Sequence, residues 1–183
     1  MMDVPAGNTL PNPYSNNAAT VGQPVYPWRG RITCSPAAGF TGTVDKTGAA
    51  ATQVAAFFGN ASPAEFSVSG TTVTYTGPGS EWGYRRMILH YAKLCAAVGG
   101  VDAFLIGSEL RGLTQIRSGA STYPAVAALQ TLAADVSAIL GPSVKVGYAA
   151  DWSEYFGHQP ADGSNDVFFH LDPLWADANV DFV

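Results

Sequence analysis

Two β-prone apolar runs, each closed by a carboxylate, constrain this chain more than any other feature. The first is Val101-Asp-Ala-Phe-Leu-Ile-Gly-Ser-Glu109 and the second is Val144-Lys-Val-Gly-Tyr-Ala-Ala-Asp151. Between them Tyr123-Pro124 opens a helical stretch that runs to Leu140. Val126, Leu129, Leu132, Val136, Ile139 and Leu140 fall on its inner face, and Gly141-Pro142 ends it. Strand, helix, strand predicts a parallel pair joined by a right-handed crossover, Val101–Gly107 beside Val144–Ala149, with the 123–140 helix packed outside. In such sheets the side chains at the carboxyl ends of the strands converge on one face, where active sites are built. Glu109 and Asp151 are therefore expected on the same rim, within about 10 Å of each other.

The remaining segments fit around that unit. Residues 1–44 are rich in Pro, Gly, Asn and Thr but also hold Tyr14, Tyr26, Trp28, Ile32 and Phe40, which predicts a long ordered loop with a functional or lid role. Asp45 to Phe58 reads as a helix capped by Asp45 or Thr47, with Val54, Phe57 and Phe58 on its apolar face. Alternation on both sides of Ser69-Gly70 predicts a hairpin over Glu65–Tyr75, outside the main sheet. Ser80 is expected to cap a helix from Glu81 to Val98, with Trp82 in the core. Arg111–Thr122 reads as a polar loop, and Asp151–Asp166 as a loop of aromatics, acids and glycine. Val167–Ala178 holds a short helix broken near Pro173, and Val180-Asp-Phe-Val183 begins a third parallel strand.

A (β/α)₈ barrel takes at least about 200 residues, and three parallel strands are recognisable here. The fold class expected is α/β: an incomplete (β/α)₈ TIM-barrel-like domain with a β-hairpin insertion. Residues 1–183 would form a single partial domain, a fragment of a larger protein, with residues 1–5 the tail of an earlier strand.

Composition excludes several classes. Nine Lys+Arg against fourteen Asp+Glu, a net charge of −5, provide no basic face for phosphate, so no nucleic-acid partner is expected. No apolar run approaches the roughly 18 residues of a membrane span, and the first residues lack a signal-peptide pattern. Cys34 and Cys95 show no CxxC spacing and read as unpaired, Cys95 as a small buried hydrophobe. His158, His170, Asp162, Asp166 and Asp172 match no zinc or EF-hand pattern, so no metal is expected. No phosphate-binding glycine loop and no Gly-x-Ser-x-Gly elbow occurs, and no cofactor is expected.

Four segments carry a resemblance. Tyr26-Pro-Trp-Arg-Gly-Arg-Ile-Thr-Cys34, Phe104-Leu-Ile-Gly-Ser-Glu-Leu-Arg-Gly-Leu-Thr114, Gly147-Tyr-Ala-Ala-Asp-Trp-Ser-Glu-Tyr155 and Phe169-His-Leu-Asp-Pro-Leu-Trp175 resemble the TIM-barrel-like domain of gene transfer agent and phage tail proteins. That resemblance implies a glycoside-hydrolase-like barrel in a baseplate or tail-hub protein, with barrel segments before Met1 and after Val183. It further implies a virion or gene transfer agent tail as the location, manufacture in the bacterial cytoplasm, and tail or baseplate proteins as partners. The ligand implied is a cell-envelope polysaccharide or peptidoglycan, either cleaved or only bound by a non-catalytic structural module. In retaining barrel glycosidases a glutamate ending the fourth strand is the acid/base, and one ending the seventh is the nucleophile. Glu109 matches the first by position, although Ser108 stands where many such enzymes have Asn. The second would lie beyond Val183.

The residues carry this chemistry as follows. Glycoside hydrolysis needs two carboxyl groups flanking the bond, about 5–5.5 Å apart for retention and about 6.5–9.5 Å for inversion. Glu109 is the candidate catalytic residue. Ile106 and Leu110 beside it suggest a drier setting than that of Asp151, and hence a general-acid proton. The alternative is an exposed glutamate paired with Arg111 or Arg85. Asp151 and Glu154 are candidates for binding sugar hydroxyls, and Asp151 is alternatively a replacement for the missing second carboxylate. Their alternative is a capping box, Asp151 starting a short helix with Glu154 three residues on. Trp28, Trp152 and Trp175 are candidate platforms for pyranose rings, or else core residues.

Overall fold

The computed structural model describes residues 5–24 and 28–183. Tyr26-Pro27 of the first motif, and nearly all of the strand tail read over residues 1–5, lie outside the described residues. The elements in chain order are α1 (Gly48–Phe58), β1 (Phe66–Ser69), β2 (Thr72–Tyr75), α2 (Tyr84–Ala97), β3 (Ala103–Ser108), α3 (Arg111–Thr114), α4 (Pro124–Leu140), β4 (Lys145–Ala149) and α5 (Asp172–Trp175). Short 3₁₀ turns occupy Arg29–Arg31, Pro63–Glu65 and Trp152–Phe156. The fold is mixed α/β with two two-stranded sheets, β1–β2 and β3–β4, and no closed barrel among the described residues. The chain groups into two compact units, Met1–Val54 with Glu109–Ala125 and Ala150–Leu171, and Ala55–Ser108 with Val126–Ala149 and Asp172–Val183.

The second unit holds the strand pair. β3 and β4 are adjacent and parallel, with Ala103, Phe104 and Leu105 opposite Lys145, Val146 and Gly147, as the strand–helix–strand pattern predicts. The register then slips before Ser108 meets Ala149, an irregularity of the kind that re-aims a strand end. Ile106, Val146 and Tyr148 are fully buried, as are Leu129, Leu132 and Val136 of α4, the face that the helical spacing marks. A third segment joins beyond β4. Asp181 donates its N–H to the Val146 carbonyl at 2.7 Å, and Phe182 forms a parallel bridge with Gly147. That approach needs the glycine, because a Cβ at Gly147 would lie 2.6 Å from the Phe182 carbonyl oxygen. The hairpin β1–β2 pairs antiparallel from Phe66–Tyr75 to Ser69–Thr72, around the expected turn. Val101 and Leu105, with Met87, Tyr91 and Val98 on or beside α2, are exposed apolar side chains.

The structure departs from several local expectations. α2 starts at Tyr84 rather than Glu81, and Ser80 does not cap it. The Glu81 carboxylate instead accepts the backbone N–H groups of Asn60 (2.9 Å) and Gly83 (2.6 Å), which holds the entry as a turn. Trp82 is not core but 78% exposed, its ring covered by the Arg86 guanidinium at 4.0 Å. Pro173 lies in the first turn of α5 instead of breaking a helix, consistent with the missing N–H being harmless there. Cys95 is only partly buried, and both cysteines are free thiols.

The first unit is organised by an ion network that the polar-loop reading of 111–122 missed. Thr47, not Asp45, caps α1, its hydroxyl accepting the Ala49 N–H at 3.2 Å. Asp45 is taken by Arg117. The Arg117 backbone N–H and guanidinium reach both Asp45 oxygens at 2.8, 3.1 and 2.6 Å, and Nη2 also meets Asp162 at 2.9 Å. Lys46 completes the set at 3.0 Å from Asp162. Arg117 is 1% exposed, with Leu113 and Ile116 buried beside it in sequence. The segment therefore turns inward because Arg117 finds two acids there. Removing one member of such a buried pair strands the other charge, which costs about 3–5 kcal/mol. Arg117→Met should accordingly lower unfolding stability by about that amount, and Asp45→Asn added to it should restore part of the loss, because the two act as a unit. Urea denaturation of the two variants checks this; an unchanged midpoint in Arg117→Met would refute it.

Candidate functional site

Glu109 is the first residue after β3, and its backbone sits at φ +53°. Non-glycine residues rarely adopt that left-handed region, and they persist there when the surroundings over-determine them. Its Oε2 accepts two bonds, from Trp28 Nε1 at 3.1 Å and from Arg29 Nη2 at 3.1 Å. The Glu109 side chain remains 36% exposed. The bonds from Trp28 and Arg29 hold its carboxyl below the usual glutamate range, against the opposing effects of burial and of the Asp151 charge. This corrects the drier-setting expectation: Glu109 is an ionised, partly solvated carboxylate rather than a protonated acid. Ile106 and Leu110 are indeed buried. They do not dry the carboxylate, which instead meets Trp28 and Arg29 and keeps exposed surface. The partner is neither Arg111 nor Arg85; Arg85 pairs with Asp135 in the second unit.

Trp28 and Arg29 reach Glu109 because the 3₁₀ turn Arg29–Arg31 lies directly on α3. A Cβ at Gly112 would stand 2.6 Å from the Ile32 carbonyl oxygen and 2.7 Å from that of Gly30. Glycine in α3 is thus what lets the turn approach. Trp28 itself is 41% exposed. The Trp-Arg dipeptide was visible in the sequence, but nothing local tied it to a carboxylate 80 positions away.

Asp151 is buried and caps the 3₁₀ turn Trp152–Phe156. It accepts the Ser153 N–H at 3.0 Å and the Ser153 hydroxyl, and Glu154 Oε2 accepts the Asp151 N–H at 2.8 Å. The capping alternative therefore describes both acids. The Ser153 hydroxyl chiefly lowers the Asp151 pKa, with burial opposing. Glu154 is sealed inside, its Oε1 accepting the Thr114 hydroxyl at 2.8 Å, so its carboxylate faces protein rather than solvent. Trp152 is the opposite case, 73% exposed and edge-on to an exposed Phe156 at 5.9 Å. Trp175 lies in α5 of the second unit, partly buried. The structure thus brings Trp28, Arg29, Glu109, Asp151, Trp152 and Glu154 into one unit, four of them with surface open to solvent.

A buried polar cluster adjoins these residues in the same unit. His158 Nδ1 is 3.0 Å from the Tyr123 hydroxyl, and His170 Nε2 is 3.4 Å from the Thr114 hydroxyl that serves Glu154. The two imidazoles stand 5.7 Å apart, and a bridge between His158 and Phe168 closes the loop that joins them. Burial, then the Arg117 charge, lowers the His158 pKa to about 4. Burial, then His158, lowers that of His170 to about 4. Burial pushes the Tyr123 phenol up to about 12. Sequence spacing tested these histidines only as metal ligands. Among the described residues no group of three or more His, Cys, Asp or Glu side chains is placed to hold a metal ion. No helix is long and apolar enough to cross a membrane, again among the described residues.

The family model of the GTA TIM-barrel-like domain matches residues 82–183. The match contains Glu109, Asp151, Trp152, Glu154, Trp175 and both histidines of the buried cluster, while Trp28 and Arg29 precede it. No curated protein matches the chain.

The histidine pair sets an acid limit on the fold. Above pH ~6.5, the ordinary imidazole value, both are neutral in the folded and unfolded chain, and their contribution is fully present. As pH falls toward 4, the unfolded chain takes up protons that the folded chain refuses, and stability is lost. Each histidine can account for up to about 3 kcal/mol, less for the second because the first proton repels it. Urea midpoints should therefore fall from pH 6.5 to 4, before the carboxylates with lowered pKa values titrate, and His158→Gln should flatten the slope. A midpoint constant through that interval would contradict the assignment.

Proposed function

This chain belongs to the GTA TIM-barrel-like domain family, and on that premise we propose that it serves as the glycan-recognising, glycoside-hydrolase-like barrel segment of a gene transfer agent tail-hub protein. The observation that carries the reading is the surface around Glu109: an ionised carboxylate held by Trp28 and Arg29, with Trp28 presenting aromatic surface beside it and Trp152 exposed elsewhere in the same unit. Carboxylates accept sugar hydroxyls, and flat aromatic rings accept the apolar faces of pyranoses. A cell-envelope polysaccharide or peptidoglycan is the ligand such a particle meets on attachment, with other tail or baseplate proteins as its structural partners. Asp151 supports the rim by fixing the Trp152 turn, and Glu154 locks that cap from within. Trp175 has no part in this reading.

Hydrolysis is the second reading, favoured by the left-handed backbone at Glu109, since strained conformations gather at active sites. In that case Glu109, already ionised, acts as base or nucleophile, and another carboxyl supplies the proton. The two readings separate in one experiment on the protein carrying this domain. Sedimentation with purified envelope polysaccharide or sacculi should retain the wild type, and Trp28→Ala with Trp152→Ala should weaken retention at least about ten-fold, consistent with loss of two aromatic anchors. If the rim is catalytic, Glu109→Gln should cut release of reducing ends by a factor of about 10²–10⁴. Release undiminished in that variant would exclude Glu109 from the chemistry. Failure of the wild type to bind any envelope glycan would end the recognition reading.

A further inference from the structure

Behind Trp28 lies a small cleft of about 50 Å³, open to solvent and lined by Asn12, Tyr14, Gln23, Trp28, Arg31 and Ile32, all in the first unit. Its polar groups are fixed in a particular way. The Tyr14 hydroxyl donates to the Arg31 carbonyl at 2.7 Å, and the Arg31 guanidinium lies over the Tyr14 ring at 4.1 Å. Phe40 backs that ring edge-on at 5.9 Å. Asn12 uses its side-chain oxygen to accept the Tyr14 N–H at 3.0 Å, which leaves its amide NH₂ as a donor. Gln23 spends its NH₂ on the Pro11 carbonyl at 2.8 Å, which leaves its oxygen as an acceptor. Trp28 joins this cleft to the rim, because the same indole lines the cleft and donates to Glu109.

The two arginines of the 3₁₀ turn differ. Arg29 is neutralised by Glu109. Arg31 is exposed, and among the described residues no carboxylate pairs with it. In a chain of net charge −5 this is a cation positioned by an aromatic ring and left open to solvent. Resting on the glycan reading above, we infer that this cleft is a subsite for a sugar that carries a carboxylate. The pyranose lies against Trp28, Arg31 takes the carboxylate with its planar fork, and the Asn12 amide and Gln23 oxygen address ring substituents. A guanidinium matches a carboxylate with two parallel bonds and is already pre-organised on Tyr14. The neighbouring sugar then falls at Glu109.

Two sources offer that chemistry, the lactyl ether of N-acetylmuramic acid and the C6 carboxylate of a uronic acid. Calorimetric titration of the protein with matched pairs distinguishes them. One pair is an N-acetylmuramic-acid-containing disaccharide against its all-N-acetylglucosamine counterpart, and the other is a glucuronate oligomer against a glucose oligomer. The acidic member of one pair should bind about ten-fold tighter, the order expected of charge-assisted hydrogen bonds, and the margin should shrink as salt rises. The pair that shows it identifies the source. Arg31→Gln should erase the margin while leaving the neutral sugar's affinity unchanged, Arg31→Lys should keep part of it, and Trp28→Ala should weaken both members. Equal binding of acidic and neutral members, or a margin that survives Arg31→Gln in a folded variant, overturns the subsite and leaves glycan recognition standing. Absence of binding by all four sugars and by envelope glycan overturns both.

Discussion

The parallel pairing of β3 with β4 is the constraint on which the rest depends. Both strands end where chemistry begins: β3 hands the chain to Glu109, and β4 leads within two residues to Asp151. The register slip between Leu105 and Ser108 is part of the same arrangement. Glu109 follows with its backbone in the left-handed region, and its carboxylate meets the Trp28 indole and the Arg29 guanidinium. β4 is buried on both faces, at Val146, Gly147 and Tyr148, with Lys145 exposed at its start, as a parallel strand covered on two sides requires.

The two ends of the candidate site are governed by different physics. Around Glu109 the effects are those of partly solvated charge: hydrogen bonds stabilise the ionised form, and water remains in contact. Around the histidines desolvation dominates, while Asp151 and Glu154 are buried with their carboxylates satisfied by Ser153, Thr114 and the backbone. The first region is suited to meeting a ligand. The second holds the loop carrying Trp152 in place and has little surface of its own to offer. The Arg117 network does for the opening loop what that cluster does for the 151–171 segment: it supplies polar anchorage where an extended loop would otherwise bury unpaired groups.

The sequence was most legible where the period of its apolar residues sets the element. Strand pair, crossover helix, hairpin and the capping box at Asp151 follow from spacing and local hydrogen-bonding rules. Long-range charge was not legible. Asp45 and Arg117 stand 72 positions apart, and no periodicity links them. A tripeptide window makes Arg117 look like a solvated loop residue. The character of Glu109 was misjudged for a related reason: Ile106 and Leu110 are near in sequence but turned to the core. Trp82 was misplaced because a cation from the next helical turn covers an aromatic ring without burying it.

The backbone of Glu109 carries one more implication. Asparagine and glycine enter the left-handed region far more readily than glutamate does. A chain drifting under pressure for robustness alone would find an easy gain of roughly 1 kcal/mol by replacing Glu109 with either one. Thermal robustness and the rim's carboxylate are thus in direct competition at a single position, and a more heat-resistant descendant that kept glutamate there would have to find its gain elsewhere.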